Sequence, residues 1–218
     1  MPDALSTTLL APALLSLVAV TALVFSDYQD IRSGRYVFKP LAAMAFLWLA
    51  LALGATDTVF GQWMLAALVL CMVGDICLMF DSDNAFLCGL GAFLCGHLLF
   101  AVAFAQLPAN WTGLVISAVP ALVLVIGVGR WLRPHVPGDM QIPVALYVLV
   151  ITAMLLSAGL TLGQPAATLI IIGAWGFAIS DLAVARRQFV NPSPANALWG
   201  TPLYFGSQMV LATSIAFA

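Results

Sequence analysis

The chain has 218 residues, 63% of them apolar and only 7% charged, with a net charge of −2. A soluble domain normally carries about a quarter charged residues, so a mean hydropathy of +1.09 excludes a soluble globule, a disordered chain and a nucleic-acid binder. The sixteen charges are nine Asp, six Arg and one Lys, with no Glu, and their spacing shows how an integral membrane protein is laid out.

A helix crossing the bilayer needs about 17–25 apolar residues, so the gaps between charges give the spans. Residues 4–26 carry no charge and predict a first helix near 7–25. Its only early charge is Asp3, without the basic leader of a secretory signal, so a retained span is expected. Residues 40–56 and 58–74 are also charge-free and predict helices near 37–53 and 61–80. The uncharged stretch 84–129 is long enough for two helices, 84–106 and 112–132, broken at Pro108-Ala109-Asn110-Trp111. Residues 140–180 divide likewise at Gly163-Gln164-Pro165 into 141–162 and 166–185. The last uncharged stretch, from 188 onward, predicts a helix near 198–216. None of these stretches alternates as barrel strands do. The expected fold is an all-α membrane protein, a single domain over 1–218 forming one bundle of eight transmembrane helices. Short connections make chain neighbours antiparallel.

All seven basic residues (Arg32, Arg35, Lys39, Arg130, Arg133, Arg186, Arg187) fall in or beside the odd-numbered loops. Basic loops stay cytoplasmic, so the termini are expected outside a bacterial-type inner or plasma membrane and the odd loops inside. The four cysteines, Cys71, Cys77, Cys88 and Cys95, lie within spans and read as small packing residues. Cys88, Ala92 and Gly96 form a small-residue face for close helix contact, which permits a homodimer without requiring one.

Ionisable groups inside a bilayer are costly and mark functional sites by default. Asp75, His97, Asp181 and Lys39 stand out, with Tyr147, Tyr204 and Gln208 at comparable depth on other helices. From the predicted helix ends, both aspartates lie about 6–8 Å inside, so the polar layer sits toward the cytoplasm. Each residue also has a plainer reading. Asp75 could be interfacial, Asp181 could pair with Arg186 or Arg187, His97 could bridge helices, and Lys39 could snorkel to the interface. The tyrosines, taken singly, fit an aromatic belt. Asp27, Asp30, Arg32 and Arg35 read as a solvated loop with a local salt bridge. Two carboxylates beside an apolar pocket suit acid–base hydrolysis, one as general acid and the other stabilising a developing cation. No G-x-S-x-G elbow occurs, and His97 and His135 are too few for a zinc centre, so neither metal nor cofactor is expected.

Several short motifs in chain order resemble the YhhN-like family of eight-helix membrane proteins, whose characterised members are lysoplasmalogenases. They are Lys39-Pro40, the run Gly74-Asp75-Ile76-Cys77-Leu78-Met79, and Phe93 with Gly96-His97. Tyr147 and Met154 follow, then Gly176-Phe177-Ala178-Ile179-Ser180-Asp181, and finally Tyr204 and Gln208. One departure is Phe100, where many members have Tyr three residues after the histidine. The resemblance implies hydrolysis of the sn-1 vinyl ether of a lysoplasmalogen to a fatty aldehyde and glycerophosphoethanolamine or glycerophosphocholine. It casts Asp75 and Asp181 as the catalytic pair and Lys39 as the phosphate ligand. His97, Tyr147, Tyr204 and Gln208 become substrate-binding residues, and the implied partners are the lysophospholipid, water and membrane lipids. The rival reading is a small proton-coupled transporter or lipid carrier with Asp75, His97 and Asp181 as its relay.

Overall fold

The structure is a computed structural model that describes residues 2–218, with side chains from Thr7 onward; the side chain of Asp3, expected on the outer side, lies outside the described residues. Among the described residues there are eight α-helices and no strand: α1 (Pro2–Tyr28), α2 (Arg32–Ala52), α3 (Val59–Cys77), α4 (Asp83–Phe104), α5 (Trp111–Leu132), α6 (Gln141–Leu160), α7 (Ala167–Ala185) and α8 (Ala195–Ser214). A π-helical turn, Arg186–Val190, extends α7. Seven helices, α1 to α7, are long and apolar enough to cross a membrane, which makes this a multi-spanning integral membrane protein.

Polar residues at the helix ends set the boundaries. Thr58 accepts from the Gly61 N–H at 3.0 Å to start α3, and Ser82 accepts from Ala85 at 3.2 Å to start α4. Asn110 caps α5 by accepting from Thr112 and Gly113, satisfying amides that have no partner inside the helix. Gly54, with φ of +79°, turns the chain out of α2 so that Ala55 N–H can donate back to Ala50 O. Several boundaries differ from expectation: α1 runs Pro2–Tyr28 rather than 7–25, α8 starts at Ala195 rather than 198, and two more bear on the polar layer. α2 starts at Arg32 rather than 37, and α3 ends at Cys77 rather than 80. Asp75 therefore stands two residues, about 3 Å, from the end of its helix rather than 6–8 Å. Its side chain is nonetheless buried, because it points inward to the bundle.

The helices do not simply pack in chain order. α8 is central and touches α1, α2, α3 and α7, while α4 packs on α3 and α6. α5 has its substantial packing on α6 alone, so the expected α4–α5 pairing is weak. The central position explains why α8 is not apolar enough to count with the other seven. Its Asn196, Ser207, Gln208 and Ser214 are buried against other helices, where lipid does not select for apolar side chains. The expected small-residue face of α4 is used within the chain: a Cβ on Gly96 would meet Cys71 Sγ at 3.1 Å. Phe46, Phe100, Phe104, Phe177 and Phe205 are the largest side chains fully enclosed in the core.

Candidate active site

Three helices converge on Asp75. It projects from the end of α3, and Lys39, about two turns into α2, brings Nζ to 3.4 Å from Oδ1. From α8 the Tyr204 hydroxyl donates to Oδ2 at 2.7 Å. Both oxygens of a buried carboxylate are thus engaged, one by a cation and one by a neutral donor, the arrangement that a buried anion requires.

Asp181 on α7 is built differently. Its Oδ2 accepts from the Tyr147 hydroxyl of α6 at 3.1 Å and lies 3.2 Å from His97 Nε2 of α4. His97 is fully buried, and its Nδ1 is 2.7 Å from the Phe93 carbonyl. A carbonyl only accepts, so Nδ1 carries hydrogen and a neutral ring presents a bare lone pair at Nε2. That lone pair faces a carboxylate oxygen without hydrogen-bond alignment. Two acceptors this close leave room for one proton, held by the imidazole or by the carboxyl.

Phe177 separates the two groups. Its ring stacks on His97 at 4.0 Å and tilts against Tyr204 at 5.5 Å. Cys71, also fully buried, lies within electrostatic reach of both carboxylates, so the pair belongs to one region of the bundle. Asp75, Asp181, Lys39, Tyr147 and Tyr204 share the wall of a single cavity of about 440 Å³, within the range typical of small-molecule sites. Among the described residues, no group of three or more His, Cys, Asp or Glu side chains is gathered to hold a metal.

The sequence profile described as the YhhN family matches residues 34–215. The chain belongs to this family. The human protein named lysoplasmalogenase TMEM86B is 33% identical over 177 residues, 80% of this chain and 70% of the relative. Its rat counterpart is 33% identical over 178 residues, covering 80% and 68%. A lysoplasmalogenase from Mycobacterium bovis is 31% identical over 194 residues, covering 85% and 73%. No solved structure matches the chain.

In this YhhN-family chain, six of the seven residues singled out from sequence are linked through Asp75 or Asp181. The seventh, Gln208, is fully enclosed, absent from the cavity wall, and neither end of its amide has a hydrogen-bond partner among the described residues. His97 is also absent from the wall and reaches the cavity only through Asp181. Asp181 does not take the alternative arginine pairing: Arg186 donates instead to Asn196 Oδ1 at 2.6 Å. Phe100 is buried with its ring edge-on to Phe177.

The solvated-loop reading holds for the exposed Asp30 and Arg32 and fails for their neighbours. Asp27, in the last turn of α1, and Arg35 have side chains only 12% and 22% exposed, 3.7 Å apart, and both line the cavity. Their spacing across a short turn is the sequence signal, but nothing local shows which way the two helices face. Arg187 also lines the cavity; it is exposed and has no ion pair within 4 Å among the described residues.

Proposed function

We propose that this protein hydrolyses the vinyl ether bond of lysoplasmalogens, releasing a fatty aldehyde and the glycerophospho alcohol. The observation that carries this reading is the pair of unlike carboxylates in one cavity wall, in a chain whose relatives bear the name lysoplasmalogenase. Vinyl ether hydrolysis begins with a proton added to the outer alkene carbon, which leaves an oxocarbenium ion. Water adds to that cation and loses a proton. The resulting hemiacetal breaks its carbon–oxygen bond to free the glycerol hydroxyl and the aldehyde. The sequence of steps needs an acid, an anion beside the cation, and water, and it consumes no redox equivalent.

The two aspartates divide these roles. Asp181 with His97 holds the single proton and supplies it as general acid. Asp75, kept anionic by Lys39 and Tyr204, faces the oxocarbenium and accepts the proton that water loses. Burial alone favours the opposite assignment, since Asp75 is the more enclosed of the two; the cation at 3.4 Å and the Tyr204 hydroxyl at 2.7 Å oppose it, whereas Asp181 has no cation other than a protonated His97 within 4 Å among the described residues. Lys39 also serves the headgroup phosphate, together with Arg35 and the unpaired Arg187. Asp27 stands where the ammonium of an ethanolamine or choline group would be neutralised. With the basic loops cytoplasmic, this end of the bundle faces the cytoplasm and the termini lie outside.

The test is purified protein mixed with a lysoplasmalogen, with aldehyde measured. Release that disappears in Asp75→Asn and Asp181→Asn supports the reading. Absence of aldehyde from any alkenyl lysolipid, with proton-dependent uptake into vesicles instead, overturns it in favour of a carrier.

A further inference from the structure

The two ends of the α5–α6 pair are built in opposite ways. At the end away from the carboxylates the backbones touch: a Cβ on Gly113 would overlap the Gly159 carbonyl oxygen, and one on Gly159 would overlap Ser117 Oγ. Asn110 fastens the same end, donating from Nδ2 to Leu162 O at 2.9 Å and from its backbone N–H to Leu160 O at 2.7 Å. Pro120 lies between this crossing and the rest of α5 and removes one bond from the helical ladder. Beyond it the surroundings open, and a Cβ on Gly127 or Gly129 would meet nothing within 4 Å.

Over that open half, Leu124, Val125 and Val128 of α5 face the cavity, opposite Val148 and Ile151 of α6 and Leu90 of α4. The residues are spaced to share one helix face. Tyr147, the donor to Asp181, lies on the same α6 face, so the slot begins at the catalytic layer. Thr152 is the polar side chain there, and its hydroxyl is turned onto Val148 O at 2.7 Å. Its hydrogen is thereby used within the helix, and Leu90, Leu124, Val125, Val128, Val148 and Ile151 offer only apolar side chains. The opposite side of α5 is outward, with Val119 and Val123 66% and 67% exposed, and no helix other than α6 substantially buttresses it.

We infer that this slot is the subsite for the substrate's hydrocarbon chain, open sideways to the bilayer. It seats the first carbons beyond the ether against α5 while the remainder stays in the leaflet. The inference rests on the hydrolase reading for the identity of the lipid, and on the continuity of an apolar slot with the carboxylate layer for its position. A single-tailed lysolipid then reaches the aspartates without leaving the membrane, and α5 sets how the chain is gripped.

Two measurements test it. The first uses wild-type protein and an sn-1 saturated alkyl ether lysophospholipid, which lacks the vinyl group and carries a diazirine early in its chain. Photolysis should place adducts on the cavity-facing residues of 121–132 and on Val148 or Ile151. Adducts confined to the outward residues Val119 and Val123 would overturn the subsite. The second compares Val125→Trp and Val128→Trp with the outward control Val123→Trp. The slot variants should lower kcat/KM for a long-chain alkenyl lysolipid by at least about tenfold, leaving a short-chain vinyl ether within about threefold, and the control should change neither. Equal losses for both chain lengths, or none, would overturn the subsite. Slot labelling in a wild-type protein that releases no aldehyde would instead sink the hydrolase reading and leave the subsite standing.

Discussion

Replacing Tyr204 with Phe removes one oxygen and little else. The Tyr204 ring keeps its neighbours Phe93, Phe177 and Phe205 at 5.7, 5.5 and 4.8 Å, so the packing loss is small. What disappears is a 2.7 Å hydrogen bond to Asp75 between two buried groups. A hydrogen bond to a charged group contributes about 1.5–3 kcal/mol. At about 1.4 kcal/mol per factor of ten, a loss felt in the transition state lowers kcat/KM by about 10–150-fold. The assay is aldehyde release from lysoplasmalogen, coupled to a dehydrogenase, with thermal melts run in parallel. A double-mutant cycle sharpens the result: in the Asp75→Asn background, Tyr204→Phe should cost less than about threefold, because the two residues act as one unit. Tyr204→Phe at half or more of wild-type kcat/KM, with an unchanged melt, refutes the role given to this hydroxyl. Equal losses in both backgrounds refute the coupling.

His97→Asn keeps a polar side chain but removes the proton held against Asp181, and should lower kcat by about 10²–10⁴-fold with KM little changed, as steady-state kinetics would read. Gly113→Ala pushes a methyl group into the Gly159 backbone and should cost about 1–3 kcal/mol of stability, seen as a lower melting temperature. Gly127→Ala, which enters open space, should melt no lower than wild type. Cys77 and Cys88 Sγ lie 3.0 Å apart as free thiols, so a mild disulfide reagent should join their two peptides in mass spectra and spare the buried Cys71. A C-terminal reporter that works only outside the cytoplasm should be active, and activity of a cytoplasmic reporter there would reverse the assigned topology.

The helices were legible because charge is so scarce and because breaks in uncharged stretches have a local chemistry. Asn110 caps α5 where the sequence shows Pro108-Ala109-Asn110-Trp111, and Gly163 takes a φ of +93° at the second break. The partners of Asp75 and Asp181 were legible as a set, since an ionisable residue within a span must be compensated by something at its own depth. Which helix compensates which residue was not legible. Packing in a bilayer is decided by small residues meeting across helices far apart in sequence, as Gly176 of α7 does with Ser207 of α8. The same ambiguity hid the peripheral place of α5 and the inward turn of Asp27 and Arg35. Phe177 shows the problem most directly: it is one apolar residue among many in its span, yet it stands between the two carboxylate groups.

The central position of α8 bears on how the protein is made. A segment that is poorly apolar by itself partitions weakly into lipid during synthesis, and α8 carries Asn196, Ser207, Gln208 and Ser214 on buried positions. Its insertion is favoured once α1, α2, α3 and α7 are present to receive those side chains. Tyr204 arrives with it, so the Asp75 carboxylate gains its hydroxyl donor only as the eighth helix docks. A nascent chain carrying α1 to α7 would hold both aspartates in the membrane with the first of them incompletely dressed, and acid–base competence would then mark the end of biogenesis.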